Sequence, residues 1–138
     1  MEIAEVKKIL KSAWFCKLQV ERETEEIAQL RALATQVTPA YSLAPGSGSG
    51  NNQKLEGNAI RIVEAERKRQ QTVAELLNHL EEIHKLVDKL DDDQLRILLK
   101  LRYVNHKKWE EIALMMDYDW RYVHKLHAKA LQQLAKRH

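Results

Sequence analysis

Basic and amide side chains recur along the segment 120–136 at the spacing of an α-helix. With about 100° between successive residues, one helix face gathers these groups around a small alanine: Arg121, His124, Lys125, Ala128 and Gln132. The opposite face is apolar: Val123, Leu126, Ala130 and Leu134. Guanidinium, ammonium and amide groups bind phosphates and base edges. The pattern therefore predicts a helix that packs on a core and presents its polar face to a nucleic-acid groove, which the small alanine lets it approach closely.

Two shorter helices are predicted to position this segment. In the nearer one, an apolar face is formed by Trp109, Ile112, Ala113 and Met116, and we expect Trp109 and the pair Met115 and Met116 to lie in the core. A tight turn, 117–119, follows and ends in Asp119, a good N-cap. The other helix covers about 95–103, and the acidic run 91–93 is predicted to cap it. A short helix, a three-residue turn and a longer helix predict a helix-turn-helix.

Other chemistry-bearing residues give weaker patterns. His124 and His127 are predicted to point to different faces, with no carboxylate or cysteine nearby to complete a zinc site. The run 91–93 does not begin a calcium loop, because the sixth position is Arg96 rather than glycine. Cys16 is predicted to be a small buried residue, not a nucleophile. We therefore expect no catalytic site, no metal and no cofactor.

The preceding 90 residues predict two long helices. Apolar residues repeat at helical spacing over about 1–37 and 54–90, and the charged stretch 21–26 predicts a solvated turn or an interruption. Pro39 is expected to end the first helix, and 39–53 reads as a flexible linker. We expect 1–90 to form an antiparallel helical hairpin that sets the oligomeric state, with a dimer as the first expectation, and 91–138 to form the DNA-binding domain.

Composition agrees with an all-α protein. All four glycines and both prolines fall within 39–57, whereas sheet folds need such residues in many turns. The net charge of +3 is uneven, because 94–138 carries ten basic and four acidic side chains. A basic module favours a nucleic-acid partner, and a solvated charged face is the alternative. The single cysteine and the lack of a long apolar stretch predict a cytoplasmic protein of a reducing compartment that has no membrane segment.

The segment Tyr103–Leu134, including Trp-Glu-Glu-Ile-Ala at 109–113, resembles without gaps the DNA-binding region four of bacterial sigma factors. It is similar in particular to phage-encoded late-transcription regulators of Gram-positive bacteria, the ArpU- and RinA-like proteins, and to a related uncharacterised phage family. That last family also resembles the earlier chain, with an N-terminal helix ending in Leu-Arg-Ala-Leu-Ala-Thr, a Pro-Gly-Ser linker and a second long helix. No part of the chain resembles the sigma regions that melt promoter DNA.

The resemblance assigns the base and phosphate contacts to the start and outer face of the last helix: Trp120, Arg121, His124, Lys125 and Lys129. Two loop lysines, Lys107 and Lys108, complete the predicted DNA-binding set. Two positions depart from the sigma pattern. Asp117 stands where glycine is common in the turn, and Trp120 stands where arginine is common, so the preferred DNA sequence is expected to differ.

The resemblance implies a phage or prophage transcription regulator that binds double-stranded DNA in the cytoplasm of a bacterial host, with RNA polymerase as a further partner. Two other classes fit a helix-turn-helix joined to long helices. One is a small-terminase-like DNA-packaging protein, which would form a ring. The other is a helical adaptor whose basic surface binds an acidic protein.

Overall fold

The structure, a computed structural model, describes the backbone of residues 1–43 and 48–136 and the side chains of 1–36 and 56–136. Within these ranges the chain forms helices and no strand, which confirms the predicted all-α class. The helices are α1 (Ile3–Leu43), α2 (Gly48–Val87), α3 (Asp93–Tyr103), α4 (Trp109–Met116) and α5 (Trp120–Lys136). In the described ranges, none of these helices combines the length and the apolar character that crossing a membrane requires.

Along the sequence, the two long helices extend closer to each other than predicted. Helix α1 continues through Pro39 to Leu43, and α2 begins at Gly48, inside the predicted linker. A proline inside a helix removes one backbone hydrogen bond and crowds the carbonyl four residues before it, which weakens the helix, but the hydrogen bonds on either side can continue past it. The predicted linker 39–53 is therefore wrong over most of its length, and its remaining part, 44–47, lies outside the described residues.

The chain divides into two compact units. The first unit comprises Met1–Cys16 and Glu75–His138, and the second unit comprises Lys17–Ala74. The expected domain boundary at residue 90 does not coincide with this division. The reason is that the N-terminal part of α1 and the C-terminal part of α2 both pack with the three shorter helices. A fragment that begins at residue 91 would lose part of its own core.

The core of the first unit joins residues from all five helices and from the turn after α2. Its fully buried aliphatic side chains include Val6 and Leu10 of α1, Ile83 and Val87 of α2, and the turn residue Leu90. The shorter helices contribute further buried side chains to the same cluster: Leu95, Leu98, Leu99, Ile112, Val123, Ala130 and Leu134. Burial of apolar surface at about 25 cal/mol per Å² is the main force that holds α3, α4 and α5 in place.

Acidic residues fix the start of α3. The Asp92 carboxylate accepts backbone hydrogen bonds from Gln94 (2.8 Å) and Leu95 (3.4 Å), which confirms the predicted cap. Lys100 of α3 donates a 2.7 Å hydrogen bond to Asp88, just after α2. This charged contact holds the pKa of the Asp88 carboxyl below its ordinary value.

In the second unit, stretches of α1 and α2 lie side by side. Arg31 forms an ion pair with Glu66, and Arg69 donates to the Thr24 hydroxyl at 3.4 Å. Of the two alternatives predicted for 21–26, the interruption is wrong because α1 is unbroken there, and the solvated turn is confirmed except at Glu23, since the other five residues are exposed. Its Glu23 side chain is 2% exposed, and neither carboxylate oxygen has a hydrogen-bond partner among the described residues.

Candidate nucleic-acid interface

A three-residue turn joins α4 to α5. Asp117 adopts the left-handed conformation (φ 58°, ψ 44°), and the following N–H, of Tyr118, donates to the Ala113 carbonyl at 3.0 Å. This arrangement closes the C-terminus of α4 in the way that glycine usually does, and aspartate tolerates it better than most residues. Asp119 then accepts a hydrogen bond from the Tyr122 N–H (3.0 Å), as expected for the cap of α5.

Helix α5 has the two faces that its sequence predicts. The apolar face is buried: Val123, Leu126, Ala130, Leu131 and Leu134. Exposed residues line the opposite face: Arg121, Lys125, Ala128, Lys129 and Gln132. The core therefore fixes the rotation of α5 and leaves its cationic groups in solvent.

The cations of this face have no counter-ion among the described residues: Arg121, Lys125 and Lys129 form no ion pair there. A cation without a counter-ion keeps its full electrostatic attraction for phosphate. This face can therefore bind a polyanion without first breaking a salt bridge.

The placement of His124 differs from the one that the sequence predicts. Its ring is half-buried, with its centroid 4.0 Å from the Trp120 ring and 4.6 Å from the Trp109 ring, so it does not stand on the exposed face. A helical wheel gives the direction of a Cβ atom and not the reach of indole rings on the same and neighbouring helices. His124 thus supports the ring of Trp120, which is 52% exposed at the start of α5.

A second histidine contacts the same indole. His127 lies 4.8 Å from the Trp109 ring, and its Nε2 is 2.7 Å from the Tyr103 hydroxyl. Burial, with a smaller effect of nearby positive charges, lowers the pKa of His127 from 6.5 to about 4. Burial also raises the pKa of the Tyr103 hydroxyl. This pair is therefore uncharged at neutral pH.

The remaining predicted residues have mixed placements. Lys108 is exposed and Lys107 is half-buried, and the backbone of Lys107 is fixed by hydrogen bonds with Leu101 and Arg102. The prediction that Met115 is in the core is wrong, because it is 58% exposed. Trp109 and Met116 do pack on the core, whereas Cys16 is only half-buried.

The sequence pattern did not predict the aromatic and basic side chains from outside α5 that contact one another near its histidines. The Arg102 guanidinium lies 4.6 Å from the Trp109 ring centroid, and the Trp14 and His106 rings are 5.1 Å apart. Periodicity within one helix carries no information on such contacts between elements. The concentration of tryptophan and histidine between residues 106 and 127 is the signal that could have indicated an aromatic cluster. No three acidic, histidine or cysteine side chains of the described residues are placed to hold a metal ion.

No family model, no curated protein and no solved structure matches this chain.

Proposed function

We propose that this protein is a phage or prophage transcription regulator that binds duplex DNA through a helix-turn-helix formed by α4 and α5. The observation that carries the proposal is the exposed face of α5. There, cations that have no counter-ion among the described residues flank the small Ala128, so the helix backbone can approach a groove floor closely. Arg121 and Lys125 are assigned the main base and phosphate contacts, and Lys129, Lys107 and Lys108 additional phosphate contacts.

Trp120 is assigned a contact at the edge of the groove. Its half-exposed ring stands at the first residue of α5 and is supported by His124. An indole in this position can lie against a deoxyribose or a thymine methyl group. His124 is accordingly proposed as a positioning residue rather than a base contact.

The second unit is proposed to bring two copies of the chain together. Its stretches of α1 and α2 carry exposed aliphatic side chains, including Ile60 (58% exposed), Val63 (56%) and Leu33 (51%). Stretches of two long helices in an antiparallel hairpin leave such groups for a second protomer to cover. A dimer would pair two DNA-binding modules and so strengthen their combined affinity.

RNA polymerase is proposed as a further partner. Leu114 is 84% exposed and Met115 58% exposed, and they are consecutive residues of α4. They offer apolar side chains that a partner protein could contact. The protein would then act by occupancy and recruitment.

The experiment is a reporter assay preceded by selection of bound sites from a random duplex library. The reporter is driven by a promoter that carries the selected site, in a host that lacks the phage, with the protein supplied in trans. We expect wild type to raise transcription and Arg121→Ala to abolish the effect. Unchanged transcription despite occupancy of the site would contradict activation, and failure to select any duplex would contradict DNA binding.

A further inference from the structure

A cavity of about 530 Å³ opens within the first unit. One wall is the N-terminal part of α1, with Lys7, Lys11 and Trp14. The opposite wall is formed by the end of α3, the loop before α4, and α4 and α5 themselves. A cavity of this volume can hold a small-molecule ligand.

Its lining is strongly cationic. Lys7, Lys11, Arg102 and Lys108 all line the cavity, and none of the described residues that line it carries a carboxylate. In the described part of the chain, the three lysines are exposed and have no ion-pair partner. Converging cations with no counter-ion favour an anionic ligand, and a phosphate group is the anion that several lysines bind together.

The same lining is aromatic. Trp14 is 44% exposed and Phe15 is 78% exposed, although both are large apolar side chains. Trp109 lies deeper in the cavity, where Arg102 covers its ring. Exposed aromatic rings beside cations are the surface on which nucleic-acid bases stack. A phosphate site next to such rings matches the two parts of a nucleotide.

One buried polar atom in this lining has no partner. The Nε2 atom of His124 is inaccessible to solvent and makes no hydrogen bond with any described residue. A buried polar atom without a partner costs free energy, and most such atoms in folded proteins are paired. Because solvent does not reach this atom, a ligand in the cavity would pair with it only after the His124 ring turns.

We propose that this cavity binds one nucleotide, with its phosphate between Lys7, Lys11 and Lys108 and its base stacked on Trp14 and Phe15. Two sources could supply that chemistry, a free mononucleotide and a nucleotide unit of a single DNA strand. The site shares Lys108 with the proposed duplex interface, but neither Arg121 nor Lys125, to which the main duplex contacts are assigned. Variants of Lys11 and Trp14 therefore test nucleotide binding without changing a residue of the proposed duplex interface.

The test uses the full-length protein and three probes: AMP, a ten-nucleotide single strand of deoxyadenosine, and inorganic phosphate. Binding is measured by calorimetry, and the indole N–H signals of the three tryptophans are followed by NMR. We expect AMP or the strand to bind more tightly than phosphate and to shift the Trp14 signal. Binding of AMP identifies a free nucleotide as the ligand, whereas binding of the strand alone identifies a nucleotide within DNA, and both results support the site.

Two variants locate the binding. Trp14→Leu and Lys11→Gln both change exposed side chains, so the fold should survive, and each should weaken binding of the AMP or the strand by about tenfold. Lys8→Gln, at an exposed lysine of α1 that does not line the cavity, is the matched control and should bind as wild type does. The proposal is overturned by no binding at millimolar AMP or strand, by equal affinity for phosphate, or by unchanged affinity in both cavity variants.

Discussion

At the residue scale, His127 shows how the core controls charge near the proposed interface. Its ring is packed between the Tyr103 hydroxyl and the Trp109 indole, and burial keeps it neutral. In the unfolded chain the pKa returns to about 6.5. As pH falls, the unfolded chain therefore binds the proton first. The contribution of the neutral His127 ring to stability is fully present above pH 6.5 and is lost as pH falls toward 4.

We predict that His127 titrates near pH 4 in the folded protein. The partly solvated ring is screened, so the loss of stability between pH 6.5 and 4 should be on the order of 1–2 kcal/mol. NMR of the imidazole protons gives the pKa, and urea unfolding at several pH values gives the stability. The variant His127→Gln should lose this part of the pH dependence. A midpoint at or above 6.5 would show that the ring is not desolvated.

Single positions on α5 could be predicted from the sequence only where they face away from other helices. The exposure of Arg121, Lys125 and Lys129 follows from the periodicity of α5 alone, because the opposite face must be buried. His124 could not be predicted in this way. Its environment is set by the Trp109 ring, which belongs to α4. The sequence pattern of α5 does not specify where that ring lies.

At the element scale, Glu23 is a local conflict within α1. The stretch 21–26 has no apolar residue that could pack on a neighbouring helix, yet α1 continues through it. The Glu23 carboxylate is buried there and has no hydrogen-bond partner among the described residues. Burying a polar group without a hydrogen bond destabilises a fold. The caps of α3 and α5 were predictable because they depend on neighbours in sequence, whereas the burial of Glu23 depends on packing between helices.

We predict that Glu23→Leu raises the free energy of unfolding by about 1–3 kcal/mol, because it removes an unsatisfied buried carboxylate. The matched control is Glu25→Leu, an exposed position two residues away, where the change should stay within about 0.5 kcal/mol. Urea unfolding at one fixed protein concentration measures both. If Glu23→Leu destabilises the protein, the carboxylate has a counter-ion in the assembled protein, and this account of the helix is wrong.

At the scale of the whole molecule, long-range organisation was the part that the sequence predicted least well. Two long helices were expected, but their ends join the C-terminal helices in one compact unit, and only Lys17–Ala74 forms the other. Helical periodicity repeats along each helix and does not specify which stretch of it packs on which partner. The short helices α3, α4 and α5 were located correctly because their caps and turns mark their ends.

We predict that the full-length protein is a dimer at tens of micromolar, joined through the second unit. The double variant Ile60→Glu/Val63→Glu places charges on exposed aliphatic positions of α2 and should give a monomer by light scattering. Leu114→Glu, at an exposed leucine of α4, is the control and should remain dimeric. A monomeric wild type would remove the proposed role of this unit, and a ring-shaped oligomer would instead favour a packaging protein.

The central claim is that the exposed face of α5 binds duplex DNA, and fluorescence anisotropy with a selected duplex over a range of salt concentrations tests it most directly. For four or five phosphate contacts, the plot of log affinity against log salt should have a slope of about −4. Arg121→Ala/Lys125→Ala, shown to be folded by circular dichroism, should bind at least tenfold more weakly, since one bidentate arginine–base contact is worth about 1–3 kcal/mol. Arg67→Ala/Lys68→Ala removes the same charge from the second unit and should bind almost as wild type does. Wild-type affinity in the Arg121/Lys125 variant would contradict the assignment of α5 as the DNA-binding helix.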